Sequence, residues 1–118
     1  MAINVKEIFK HRSRICVVVE ITKKYNINPY CNGYVSTQNQ HKGRNYDDFI
    51  NRINCEELTY SGDLSHLKLK HVLMTKNMWF LGFDSMHFWN IKNPVTQTFE
   101  KVKERTIKLA DEMIQKGI

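Results

Sequence analysis

The chain has 118 residues, 42% of them hydrophobic and 25% charged, a globular composition that excludes an intrinsically disordered chain. Its 18 Lys and Arg against 12 Asp and Glu give a formal charge of +6, which favours phosphates, nucleic acid or an acidic protein face, equally serves solubility, and excludes an acidic mimic of DNA. Cys16, Cys31 and Cys55 form no C-x-x-C pair, so neither a zinc knuckle nor a disulfide framework is indicated and reduced thiols are expected.

The length fits one domain, residues 1–118, able to bury roughly two thirds of its unfolded surface. The apolar run Ile15–Val19 is too short for a membrane span or a signal core. A cytoplasmic protein with no membrane partner is therefore expected.

In chain order, Asn4–Lys10 reads as a short first helix, with Val5, Ile8 and Phe9 on one side. Arg14–Thr22 is dense in β-branched residues and predicts a largely buried strand. Lys23–Pro29 is a connection. Tyr30–Thr37 predicts a strand broken at Asn32-Gly33 by a turn or bulge. Gln38–Asn45 is a polar loop. Asn45 caps a short helix over Tyr46–Asn54, with Asp48 answering it. Leu58-Thr59-Tyr60 is a strand closed by Ser61-Gly62-Asp63. Asn77–Phe83 predicts a central strand in which Gly82 marks a bulge or a close backbone approach. Asn93 as cap, Pro94 at the first helical position and Gly117 past the end frame a long amphipathic helix carrying Val95, Phe99, Val102, Thr106, Leu109, Ala110 and Met113. Glu104–Lys108 and Lys108–Glu112 are favourable pairs along it. The expected fold is α+β: a single small sheet covered on one face, with a long C-terminal amphipathic helix and one or two short helices.

Five histidines, at 11, 41, 66, 71 and 87, fall in no metal-binding spacing. Asp84 and His87 are the suggestive catalytic pair, since a carboxylate can hold an imidazole in one tautomer for proton transfer. The same two residues suit a capped turn and a half-packed ring. Tyr34, Tyr46 and Tyr60 near strand ends, with Lys42, Arg44, Lys68 and Lys70, suit a nucleotide, the rings for a base and the cations for phosphate. Aromatics on strands also suit a plain core. No P-loop, G-x-G-x-x-G or G-x-S-x-G is present, and no cofactor is expected.

Three blocks, Tyr30–Val35, Leu58–Gly62 and Trp79–Asp84 with His87, together resemble a group of small proteins encoded by phages and prophages of Gram-positive bacteria. In that group the blocks run roughly N/H-G-Y-V, G-G-L-T-Y-S and G-F-D-x-x-H. His41 and Tyr46-Asp47-Asp48 fall on a similar H…Y-x-D-D stretch. This chain departs from the pattern at Glu56-Glu57, where a glycine pair is usual, and at Phe88-Trp89-Asn90, where small and acidic residues are usual. The resemblance implies an accessory binding protein that counters host immunity, by anti-CRISPR action or by sequestering a nucleotide immune signal. Its partner would be a host defence protein, a ribonucleoprotein or a phosphate-bearing small molecule, and a homo-oligomer is possible. Expected ligand-binding residues are Tyr34, His41, Arg44, Tyr60, Ser61, Asp84 and His87. The alternatives are a phosphate- or nucleotide-directed enzyme using Asp84 and His87, and a basic nucleic-acid binder.

Overall fold

The computed structural model describes residues 2–23, 28–67 and 75–118; Lys68, Lys70, His71 and much of the Lys23–Pro29 connection lie outside them. Among the described residues, five antiparallel strands form one sheet in the order β1-β2-β3-β5-β4. They are β1 (Ala2–His11), β2 (Arg14–Thr22), β3 (Tyr30–Ser36), β4 (Tyr60–Gly62) and β5 (Phe80–Phe83). A short helix α1 (Phe88–Lys92) and a long helix α2 (Phe99–Gln115) follow. This is the expected α+β class. No described helix is long and apolar enough to cross a membrane.

The N-terminal segment is a strand, not a helix. β1 pairs along β2 with a bulge between Val5 and Glu7, which puts Lys6 out of register. Ile3, Val5 and Ile8 therefore share a face with Ile21, Val19 and Val17 of β2. The spacing from Val5 to Ile8 is the bulge, although it mimics a helical step. Arg12-Ser13 makes the two-residue loop to β2, with φ of 47° and 75°.

β3 runs unbroken through Asn32-Gly33. Gly33 answers to the helix rather than to a turn. A Cβ there would lie 2.2 Å from Thr106 Oγ1 and 2.8 Å from the Phe83 ring, so only glycine lets α2 settle onto β3. Thr106 is fully buried and donates to Val102 O at 2.7 Å. α2 lays Val102, Thr106, Leu109, Ala110 and Met113 on one face of the sheet, against Cys16, Val18, Cys31, Val35, Leu81 and Phe83. Each fully buried side chain of this size contributes roughly 1.5–3 kcal/mol.

The opposite face is covered as well, contrary to the one-sided sheet expected. Ile15, Val17, Val19, Ile21, Tyr30, Tyr34 and Phe80 form a second cluster with Leu64 and Leu67 from the segment after β4. β2 is buried on both faces because it carries β-branched residues without alternation.

Other boundaries shift for local reasons. Tyr46–Phe49 is a single 3-10 turn, not a helix to Asn54. Asn45 caps it, Oδ1 accepting from Asp47 N at 2.9 Å, while Asp48 accepts from Arg44 Nε at 3.3 Å instead of closing a box. β4 begins at Tyr60, and Leu58 packs into the core ahead of it. β5 begins at Phe80, since Asn77 takes φ 62° and ends the preceding turn. Asn93-Pro94 opens a 3-10 turn over Pro94–Gln97, and extended Thr98 separates it from α2. The C-terminal signal reads correctly. Gly117, at φ 71°, lets Ile118 N reach Met113 O at 2.9 Å and Gly117 N reach Ile114 O at 3.3 Å, a Schellman closure with Ile118 and Met113 both buried. The pairs along α2 are Lys101–Glu104 and Glu112–Lys116, not those expected. Glu112 also clips the loop before β4, accepting from Asn54 N and Cys55 N at 2.9 Å.

Candidate functional site

β5 ends at a framed turn. Asp84 Oδ1 accepts from Met86 N at 2.9 Å, an Asx-type reversal. Fully buried Ser85 donates to Cys31 O at 2.6 Å, and Gln97 Nε2 donates to Ser85 O at 2.8 Å. Fully buried Asn90 accepts from His87 N at 3.2 Å and donates to Thr96 Oγ1 at 2.9 Å. The buried side chains Ser85, Asn90 and Gln97 each have a partner, and these bonds tie residues 84–97 together.

On that frame α1 turns apolar side chains outward. Phe88 is 73% exposed, Trp89 48%, Ile91 54% and Val95 60%. Lys92 Nζ sits 4.6 Å from the Phe88 ring centre. The Arg105 guanidinium lies 4.9 Å from both the Phe83 and Trp89 rings and forks onto Glu56. Trp89 is thus backed by a cation that a carboxylate holds in place.

His87 stacks on Trp89, with ring centres 6.2 Å apart and planes 7° from parallel. Its Nδ1 lies 3.5 Å from Glu57 and its Nε2 3.9 Å from Asp84. The second distance is not a hydrogen bond, and Nε2 is buried with no partner among the described residues. Asp84 therefore shapes the turn and does not orient the imidazole, and the geometry matches the turn reading of this pair.

Tyr34 and Tyr60 meet edge to face at 5.2 Å on the sheet face away from α2. The Tyr34 ring also lies over Gly82, where a Cβ would approach it to 2.5 Å, so Gly82 marks a close approach and not a bulge. Burial pushes both phenols up, Tyr60 to about 12 with help from Tyr34 and Asp63. Both stay neutral at physiological pH. Tyr60 Oη donates to Asp63 O.

The remaining expected ligand residues lie on the α2 side and are engaged in structure. His41 Nε2 donates to Gly117 O at 3.0 Å and packs on Phe49. The Arg44 guanidinium lies over the same ring and pairs with Asp48. Ser61 Oγ accepts from Tyr46 N at 2.9 Å. Tyr34 joins Tyr60, and Asp84 approaches His87, but the seven residues do not line one pocket. Ser61 points to the other face from Tyr60 because neighbours on a strand alternate.

The outward apolar set at 88–95 is absent from the expected list. Its sequence signal is Phe88-Trp89 directly after a polar turn, with no alternating partner to bury it. Among the described residues no group of three His, Cys, Asp or Glu gathers as a metal site. No protein-family model, curated protein or solved structure matches the chain.

Proposed function

We propose that this chain is a phage-encoded accessory binding protein that counters host immunity by docking on a host defence protein or ribonucleoprotein through residues 88–95. One observation carries the reading: four large apolar side chains, Phe88, Trp89, Ile91 and Val95, stand exposed within eight residues. Apolar exposure clustered in so short a segment is the kind that marks interaction surfaces. Aromatic anchors ringed by Arg and Lys are the residue types that dominate binding energy. The hydrogen-bonded frame beneath them fixes the surface before binding, which lowers the ordering cost of association. The phage origin is supported by the N-G-Y-V, L-T-Y-S-G and G-F-D-x-x-H blocks.

The test is phage plating on a bacterial host that carries an active CRISPR effector. Cells expressing the chain should restore plaques, and the purified protein should capture the effector. Phe88→Asp, at an exposed position, should abolish both while leaving the melting temperature unchanged. Full activity of Phe88→Asp would overturn the docking surface. Failure to protect phage against any defence system would overturn the function.

A further inference from the structure

The opposite end of the sheet carries a feature that the 88–95 surface does not use. Arg14 opens β2 and is only 6% exposed. Among the described residues its one hydrogen bond runs from Nη1 to Ser36 O at 3.0 Å, and no carboxylate pairs with it. A guanidinium has five N–H donors, so most of its donor capacity is unspent. A buried cation without a counter-charge is costly and persists where something offsets it.

Arg14 lines a cleft of about 380 Å³. Ser13, Gln38 and Asn39 line the same cleft with a hydroxyl and two amides, and Met78 adds an apolar side chain. No Asp or Glu lines it. The volume falls in the range of small-ligand pockets. One wall is the Arg12-Ser13 loop, whose two non-glycine residues hold positive φ. Arg12 is already engaged with Asp111 at 2.9 Å, which leaves Arg14 as the cation of the cleft. Burial draws the Arg14 guanidinium below its ordinary value, yet an arginine stays charged at neutral pH.

We infer that this cleft binds the phosphoryl group of a small phosphorylated molecule, with Arg14 as the anchor and Ser13, Gln38 and Asn39 as supporting donors. A planar guanidinium fork matches phosphate geometry and gives charge-assisted bonds about twice as strong as neutral ones. Met78 then flanks the organic part of the ligand. The site stands apart from the docking surface: the cleft gathers at the Ser36–Phe80 end of the β3–β5 pair, and residues 88–95 follow its Gly33–Phe83 end.

Calorimetry at fixed ionic strength with inorganic phosphate, pyrophosphate and AMP tests this. Wild type should bind at one saturable site, with AMP tighter than phosphate. Arg14→Lys keeps the charge and loses the fork, and should weaken binding about tenfold. Gln38→Glu, an exposed substitution that places a carboxylate beside Arg14, should abolish binding without unfolding the protein. Lys101→Met, at an exposed position on α2 outside the cleft lining, should bind as wild type does. No saturable binding by any of the three probes, or undiminished binding by Gln38→Glu, overturns the inference. Binding by a single-stranded oligonucleotide alone, with none by AMP, also overturns it. Phage protection by Gln38→Glu would remain intact if the docking reading holds, so the two proposals fail separately.

Discussion

Replacing Glu112 by Gln removes the charge from the clip that ties the loop before β4 to α2. The carboxylate accepts from Asn54 N, Cys55 N and Lys116 Nζ, and its side chain is only 13% exposed. Burial pushes the carboxyl up, but the bonds from Lys116, Cys55 and Asn54 outweigh it and bring it from 4.5 down to about 2. A fall of that size is worth about 3 kcal/mol, or about 2 once solvent screening is allowed for. The folded value lies below the unfolded one. The stabilisation is therefore complete above pH 4.5 and disappears as the pH falls toward 2. Urea denaturation of both proteins at pH 7 and pH 3 measures it. Glu112→Gln should be less stable by about 2 kcal/mol at pH 7, and by about two fifths of that at pH 3. Equal stability at pH 7, or a gap that does not narrow at pH 3, would refute the reasoning.

Three further outcomes follow from packing and burial. Gly33→Ala should destabilise the fold by about 1–3 kcal/mol by overpacking, since its Cβ meets Thr106 Oγ1 and the Phe83 ring. Thermal melts of Gly33→Ala with Thr106→Ala should recover part of that loss, and strict additivity would contradict the contact. Glu56→Gln should cost about 3 kcal/mol in chemical denaturation by stranding Arg105, because the Glu56 side chain is only 4% exposed; a neutral effect would show that Arg105 finds another partner. Burial raises the Cys16 thiol to about 12 and the Cys31 thiol to about 11, and burial with Glu112 raises Cys55 to about 12 as well, so access and not acidity separates the three. Cys16 and Cys31 should resist alkylation of the native protein at pH 8, with mass spectrometry placing any early adduct on Cys55, the exposed one.

The elements legible in the sequence are those with an unbroken signal. β2 is β-branched throughout, and α2 carries its buried residues at helical steps up to a glycine closure. β1 was illegible because its bulge converts strand alternation into the spacing Val5, Ile8, Phe9, which a helix would also give. Asn32-Gly33 looked like a turn because Asn-Gly favours one, while the reason for Gly33 is Thr106, 73 positions later in the chain. Of the expected site, the pairing of Tyr34 with Tyr60 follows from register across β5, a non-local fact. Arg14 was hidden inside a strand pattern, where a lone cation at the first position reads as a boundary. Only its burial without a carboxylate distinguishes it.

The irregularity in β1 also bears on how copies of this chain can assemble. β1 is ten residues long and forms one border of the sheet, which by length alone would template a neighbouring chain. The bulge places Lys6 out of the ladder, and Lys6 and Lys10 both stand exposed. These are the devices that stop strand borders from recruiting one another. The other border, β4, is three residues long. Among the described residues, filament growth by strand addition is thereby disfavoured at both margins, which shifts self-association toward helix or loop surfaces.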